Sequence, residues 1–217
     1  MRDKYKYIGP VYDFLSNLYS GRSIHRCKTA MLDLETITPG ARILFAGVGH
    51  GRDALRAAEL GAEVTVVDLS ETMLRKFAQA QETEAPHLNI RRIHSDIMNV
   101  DEFGQYDMVI ANFFLNVFDE DMMVRVLAHL IQLGKPDAQV VVGDFSYPSG
   151  NPIARLFKKG YWYLAVFIFW LLANNAFHKI YNYPDHMQRL GLKITRQKHF
   201  KLLNMNCYWS ILGQKQA

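Results

Sequence analysis

The sequence predicts an α/β fold built on a mostly parallel sheet, and three observations carry that prediction. Apolar runs of strand length alternate with amphipathic helical stretches between residues 41 and 147. The run Gly47-Val48-Gly49-His50-Gly51 stands between one such strand and the helix after it. A second strand then ends on an acid, Asp68. Strand, glycine turn, helix, strand and acid together describe a nucleotide-type cofactor site. Glycine lets the chain turn sharply and approach a ligand closely, and the acid falls at the distance that reaches a ribose hydroxyl.

The elements follow in order. Val11, Phe14, Leu15, Leu18 and Tyr19 recur at helical spacing, so residues 10–35 predict one or two helices, broken near Ser20-Gly21. Pro39-Gly40 precede the first strand, and Gly61 closes the helix that starts at Gly51. Residues 63–68 form the second strand; Ser70 then caps a helix with Met73, Leu74 and Phe77 on its inner face. Residues 89–95 read as a half-buried third strand stopped by Asp96, and residues 106–112 as the fourth. Met123, Val126, Leu127, Leu130 and Ile131 line the inner face of a helix over 119–133, which ends before a turn at Gly134-Lys135-Pro136. Residues 140–145 make the fifth strand. Pro184 and Asp185 open a short helix that stops at Gly191, and 192–202 with 205–212 form an antiparallel hairpin turning near Asn204.

Composition limits the function classes. The chain has 217 residues, 49% hydrophobic and 21% charged, which suits one globular domain with a sizeable core. Its two cysteines, Cys27 and Cys207, stand far apart without metal-ligand spacing, so neither a disulfide framework nor a zinc site is indicated; Asp53 and Asp144 could share a divalent ion, though no ligand spacing demands one. A reducing, cytoplasmic setting fits, and the polar residues 1–7 have no apolar run behind them of the kind a secretory signal needs. The net charge of +4 and pI of 9.0 raise the question of nucleic acid, but the basic residues are scattered except at Lys158-Lys159 and from Lys193 to Lys201.

The glycine spacing separates cofactor classes. A dinucleotide pyrophosphate calls for Gly-x-Gly-x-x-Gly, but Arg52 occupies the last glycine position and the pattern is Gly-x-Gly-x-Gly. Here the chain resembles the class I S-adenosylmethionine-dependent methyltransferases over roughly residues 10–147. The implied fold is Rossmann-like: a mostly parallel seven-stranded sheet with a C-terminal antiparallel hairpin. The resemblance implies S-adenosyl-L-methionine as cofactor, with Gly47, Gly49 and Gly51 beneath its methionine part, Asp68 on its ribose and Asp96 on its adenine amine. Leu69, Met73, Ile97, Asn112 and Phe113 complete the implied cofactor site, and Tyr12 belongs to a segment resembling the N-terminal cap of quinone-ring methyltransferases. One departure stands out: the family's acid two residues before the first glycine is here Phe45. Asp53, at the start of the helix, either replaces it as partner of the methionine amine or merely compensates the helix dipole.

The expected organisation is one domain over 1–217, with a helical cap at 10–35, a cofactor-binding core at 41–147, an apolar helical insertion at 152–190 and the hairpin at 191–213. The uncharged run 161–173 is shorter than the roughly 20 residues that cross a bilayer. The segment 156–173 is therefore a wall for an apolar substrate, a core or homodimer helix, or a peripheral contact with the inner membrane face. Methyl transfer from a sulfonium is an in-line displacement that needs alignment and exclusion of water, plus a base only for some acceptors. His25, His50, Asn116, Asp144, His178, Tyr181 and Tyr183 are the candidates near the site, with His178, Tyr181 and Asp144 placed first.

The leading reading is methyl transfer to a small lipophilic acceptor, quinone-like or lipid. The continuation Gly51-Arg52-Asp53-Ala54 also resembles the rhodoquinone-biosynthesis relatives, which implies S-adenosylmethionine as an amino donor to a quinone; a catalytically silent cofactor-binding protein is a third reading. A nucleic-acid target is set aside, because Asn112-Phe113-Phe114-Leu115 stands where enzymes modifying exocyclic amines carry Asn/Asp-Pro-Pro-aromatic.

Overall fold

The computed structural model describes residues 23–148, 180–202 and 205–216, together with 152, 153, 155, 156, 159, 160 and 163. Tyr12, His178 and most of the apolar segment 156–173 lie outside the described residues. The strands are β1 (Arg42–Ala46), β2 (Glu63–Asp68), β3 (Ile90–His94), β4 (Tyr106–Asn112), β5 (Gly134–Phe145), β6 (Leu192–Leu202) and β7 (Met205–Lys215). The helices are α1 (Arg52–Glu59), α2 (Glu71–Glu84), α3 (Glu120–Leu133) and α4 (Tyr183–Arg189). One sheet contains all seven strands in the order β3-β2-β1-β4-β5-β7-β6. β1 to β5 pair in parallel, while β7 runs antiparallel to both β5 and β6.

Strand periodicity divides the core between the two faces of this sheet. Leu44, Ala46, Val109, Ala111, Val140 and Val142 pack on the face covered by α3 and α4. Ile43, Phe45, Val64, Val66, Met108, Ile110 and Val141 pack on the face covered by α1 and α2. A sheet buried on both sides explains why these strands read as near-continuous apolar runs. The inner residues expected of α2 and α3 are all buried. Ser70 accepts from Met73 N at 3.3 Å and Asp119 from Met122 N at 2.9 Å, so both helices start on side-chain caps.

Two local readings change. The fifth strand starts at Gly134, directly after α3, where the sequence predicted a turn. Pairing passes from Tyr106–Gly134 to Met108–Gln139, and Asp137 adopts φ 61°, so the turn-forming residues bulge within the strand and do not break it. A Cβ on Gly134 would stand 2.7 Å from the Ala138 Cβ, so this close start requires glycine. The second change concerns residues 23–35. Helix covers only 23–28, and turns follow because Asp33 Oδ1 accepts from Glu35 N and Thr36 N, each at 3.2 Å. A short polar side chain that bonds the backbone just ahead of it offers a competing local structure to helix.

Candidate functional site

The strand order reverses between β1 and β4, which are neighbours although β2 and β3 intervene in sequence. Loops leaving two such strands run in opposite directions and open a crevice at the carboxyl edge. The glycine turn leaves β1 on one side of it, and Phe113-Phe114 leave β4 on the other.

Gly47, Gly49 and Gly51 all take positive φ, at 77°, 50° and 68°, a region that side chains disfavour. They differ in what surrounds them. A Cβ on Gly47 would stand 2.7 Å from the Phe114 ring, and one on Gly51 would run into the Phe77 ring. At Gly49 the only neighbour among the described residues is Lys28 Nζ, at 3.4 Å, so these residues leave the turn open to a ligand at that position.

The turn is fastened to the end of β2. Gly47 N donates to Val67 O at 2.8 Å, and Val48 N donates to Asp68 Oδ2 at 2.9 Å. Asp68 Oδ1 accepts from Ser70 N at 2.8 Å, so this half-buried carboxylate orients two loops and still faces solvent. Leu69 beside it is 46% exposed, whereas Met73 is packed in the core beneath. At the end of β3, Asp96 caps the short 3₁₀ turn Ile97–Asn99 by accepting from Met98 N at 3.0 Å on Oδ1, and Ile97 is buried.

Asp53 is only 5% exposed, and Asn112 Nδ2 donates to its Oδ2 at 2.9 Å. The same amide nitrogen donates to Lys28 O at 3.0 Å, which fixes the Asn112 amide and aims its Oδ1 at Gly143. That Oδ1 is buried without a donor among the described residues. Phe113 follows with φ 52°, an unusual value for a bulky residue, held by its N–H donating to Gly143 O at 2.7 Å. Its ring meets Phe145 and Tyr208 edge-on at 5.7 and 5.8 Å.

Asp144, expected as a base, is 1% exposed and surrounded by donors. Asn116 Nδ2 at 2.8 Å and Phe145 N at 2.7 Å reach Oδ1, and the Tyr183 hydroxyl reaches Oδ2 at 2.8 Å. Burial outweighs these hydrogen bonds and pushes its carboxyl up to about 7. Burial also raises the Tyr181 and Tyr183 phenols, and Tyr181 donates to Phe118 O at 3.0 Å. His25 and His50 are exposed. The structure therefore gathers Gly47, Gly49, Gly51, Asp53, Asp68, Asn112 and Phe113 around one crevice and brings Asp144 and Tyr183 into contact beside it.

Lys28 is a site residue that the sequence did not single out. It has no period or motif to mark it and arrives at the crevice only through tertiary placement.

Comparison with known proteins bears on the fold and on the family of its core. Residues 43–137 match the family described as methyltransferase domain. The structure is similar to magnesium protoporphyrin IX methyltransferase from Synechocystis PCC 6803, solved with bound SAH, at a TM-score of 0.67 and 20% identity over 92% of this chain and 84% of that one. Residues 43–137 thus resemble a methyltransferase domain, and the fold is shared with a structure that binds SAH.

The chain is also similar to quinone C-methyltransferases. It is 26% identical over 174 residues to the ubiquinone/menaquinone biosynthesis C-methyltransferase UbiE of Vibrio cholerae, covering 76% of this chain and 64% of that protein. It is 23% identical over 152 residues to the demethylmenaquinone methyltransferase of Renibacterium salmoninarum, covering 70% and 61%. The chain accordingly spans less than two thirds of the length of these curated relatives.

Proposed function

We propose that the protein transfers a methyl group from S-adenosyl-L-methionine to a small lipophilic acceptor of the quinone type. The observation that carries this reading is the similarity to quinone C-methyltransferases, combined with an aromatic wall at the carboxyl edge of the sheet. Half-buried Phe113, backed by the buried rings of Phe145 and Tyr208, forms one part of that wall, and half-buried Phe114 and Phe118, edge-on at 5.5 Å, form another. Aromatic side chains offer a flat acceptor ring large apolar contacts and exclude water from the reaction.

The residues present fit the cofactor. Gly49 leaves open space over the turn, and Asp96 Oδ2 has no donor among the described residues. Asp68 would hold the ribose hydroxyls, Asp96 and Ile97 the adenine, and Asp53 the methionine amine in place of the acid missing at Phe45. When bound, the cofactor supplies an electrophilic methyl on a sulfonium. The protein's part is to hold acceptor carbon and sulfur collinear and dry. Asp144 serves this by clamping Asn116 and Tyr183, and so the two segments that carry them. Of the other base candidates, Tyr181 donates to Phe118 O and His178 lies outside the described residues.

A lipid-soluble acceptor suits a peripheral membrane contact. Ile153 and Leu156 are 81% and 73% exposed, and Arg155 and Lys159 beside them are exposed as well. No helix among the described residues is long and apolar enough to cross a membrane. Incubation with S-adenosylmethionine and a demethylated quinol bearing a short prenyl tail should yield S-adenosylhomocysteine and a quinol one methyl heavier by mass spectrometry. Cofactor binding with no turnover across a panel of such quinols would overturn the acceptor assignment.

A further inference from the structure

Phe45 raises the question of how this site grips the amino-acid end of its cofactor. Phe45 is 2% exposed and packed in the core, so nothing on β1 offers a charge to the crevice. Two charged groups lie close by. Asp53 is buried at the start of α1, held by Asn112. Lys28 is half-buried, and its Nζ lies 3.4 Å from the Cβ position of Gly49 and 5.9 Å from the centre of the Phe113 ring. Gly49 follows β1 and Phe113 follows β4, so the ammonium spans the crevice at the point where the strand order reverses.

The two charges belong to one unit but do not neutralise each other. Asn112 Nδ2 donates both to Lys28 O and to Asp53 Oδ2, which ties the lysine backbone to the carboxylate. Even so, Lys28 Nζ makes no ion pair with Asp53 or with any other carboxylate among the described residues. Its one recorded partner is the face of Phe113, a weak substitute for an anion. A half-buried lysine whose backbone is tied to a carboxylate that its ammonium does not pair with suits a molecule carrying both opposite charges.

We propose that Lys28 binds the α-carboxylate of the cofactor's methionine moiety, and that Lys28 and Asp53 together form a two-pole clamp for its zwitterionic end. The carboxylate is then paired by the ammonium across Gly49, while the α-ammonium faces Asp53. This arrangement moves the recognition of the amino-acid group from β1 to the segment before it and the helix after it. It also assigns residues 23–28 a direct part in cofactor binding.

The test compares ligands that differ only at that end. Calorimetric titration is run with S-adenosylhomocysteine, its decarboxylated analogue and 5′-methylthioadenosine, on the wild-type protein and on Lys28→Met and Lys28→Arg. Wild type should prefer S-adenosylhomocysteine to the decarboxylated analogue at least tenfold, as expected of a charged hydrogen bond. Lys28→Met should erase that preference, Lys28→Arg should keep most of it, and all three proteins should bind 5′-methylthioadenosine alike. A preference that survives in Lys28→Met, or an equal loss for all three ligands, would overturn the proposal, the second by assigning Lys28 a purely structural role. The readout is independent of any acceptor, so a wrong quinone assignment leaves it standing.

Discussion

Gly49 and Gly51 share a backbone conformation but not an environment, and alanine at each should separate the site from the fold. Both lie at positive φ, where a Cβ costs about 1–2 kcal/mol. For Gly49→Ala that is the main cost, because among the described residues its Cβ would meet only Lys28 Nζ, at 3.4 Å, at the end of a flexible side chain. For Gly51→Ala the Cβ runs into the Phe77 ring, which is 1% exposed and cannot retreat without disturbing a packed core. Overpacking of that kind costs about 1–3 kcal/mol more, for a total of about 2–5 kcal/mol. In a chain of 217 residues each kcal/mol lowers the melting temperature by about 2–4 °C. Gly49→Ala should therefore melt about 2–8 °C below wild type and Gly51→Ala about 4–20 °C below it. The affinities should fall the other way relative to stability. Gly49→Ala fills the open space over the turn and should weaken S-adenosylhomocysteine at least tenfold by calorimetry, far more than its modest melting shift accounts for. If Gly49→Ala bound this ligand within about threefold of wild type, the groove over Gly49 would not be where the methionine part lies. If Gly51→Ala melted no lower than Gly49→Ala, the close packing of Phe77 would be refuted.

Three further outcomes follow from the same geometry. Gly143→Ala drives a Cβ into Asn112 Oδ1 and should displace the amide that holds Asp53 and Lys28 O, losing about 2–4 kcal/mol in urea denaturation. Asp68→Ala strips the acceptor from Val48 N and Ser70 N and removes the proposed ribose partner, so it should weaken S-adenosylhomocysteine and 5′-methylthioadenosine together, unlike Lys28→Met. Asp144 has its carboxyl pushed up to about 7 by burial, against an unfolded value near 3.9, so between about pH 4 and 7 the folded state holds a proton that the unfolded state has released. Its contribution to stability is thus fully present below the unfolded value and is lost as pH rises through the folded one, with a slope of at most ~1.4 kcal/mol per pH unit. Denaturation of wild type and Asp144→Asn at intervals from pH 4.5 to 8 should show that slope in wild type and a flatter profile in the variant.

The fold was legible where periodicity and glycine agree. β1, α1 and β2 follow from apolar strands around Gly47, Gly49 and Gly51; Asp68 ends β2 as expected, while β3 stops at His94, two residues before Asp96. β5 was legible only from residue 140, because Pro136 and Asp137 carry turn chemistry that the structure absorbs as a bulge inside a paired strand. The helix over 23–28 ends early because Asp33 bonds the backbone ahead of it, a choice that hydrophobic spacing does not register. The site was legible to the extent that it depends on local motifs. Asp53 could be named as a replacement for the missing acid, but its burial on Asn112 depends on α1 and the end of β4, residues 59 apart in sequence, coming together. Lys28 meets Gly49 and Phe113 through the same kind of long-range contact.

The position of Asp144 shows why a catalytic base was the hardest feature to read. An acid at the carboxyl end of a central strand looks like a proton acceptor, and its raised pKa strengthens that impression. Yet three donors already converge on its two oxygens, and one of them, Tyr183, opens α4 at the point where the chain returns to the sheet. Asn116, another donor, lies in the turn that carries the aromatic wall from β4 toward α3. Removing the carboxylate would leave buried donors without an acceptor, at about 1–3 kcal/mol each. An in-line transfer needs its two reactants held in register more than it needs a nucleophile from the protein. The buried polar groups at this edge act accordingly: Asp68 fixes the glycine turn, Asn112 fixes Asp53 and the Lys28 backbone, and Asp144 fixes Asn116 and Tyr183. Each is a side chain near the chemistry whose hydrogen bonds are spent on holding a loop still.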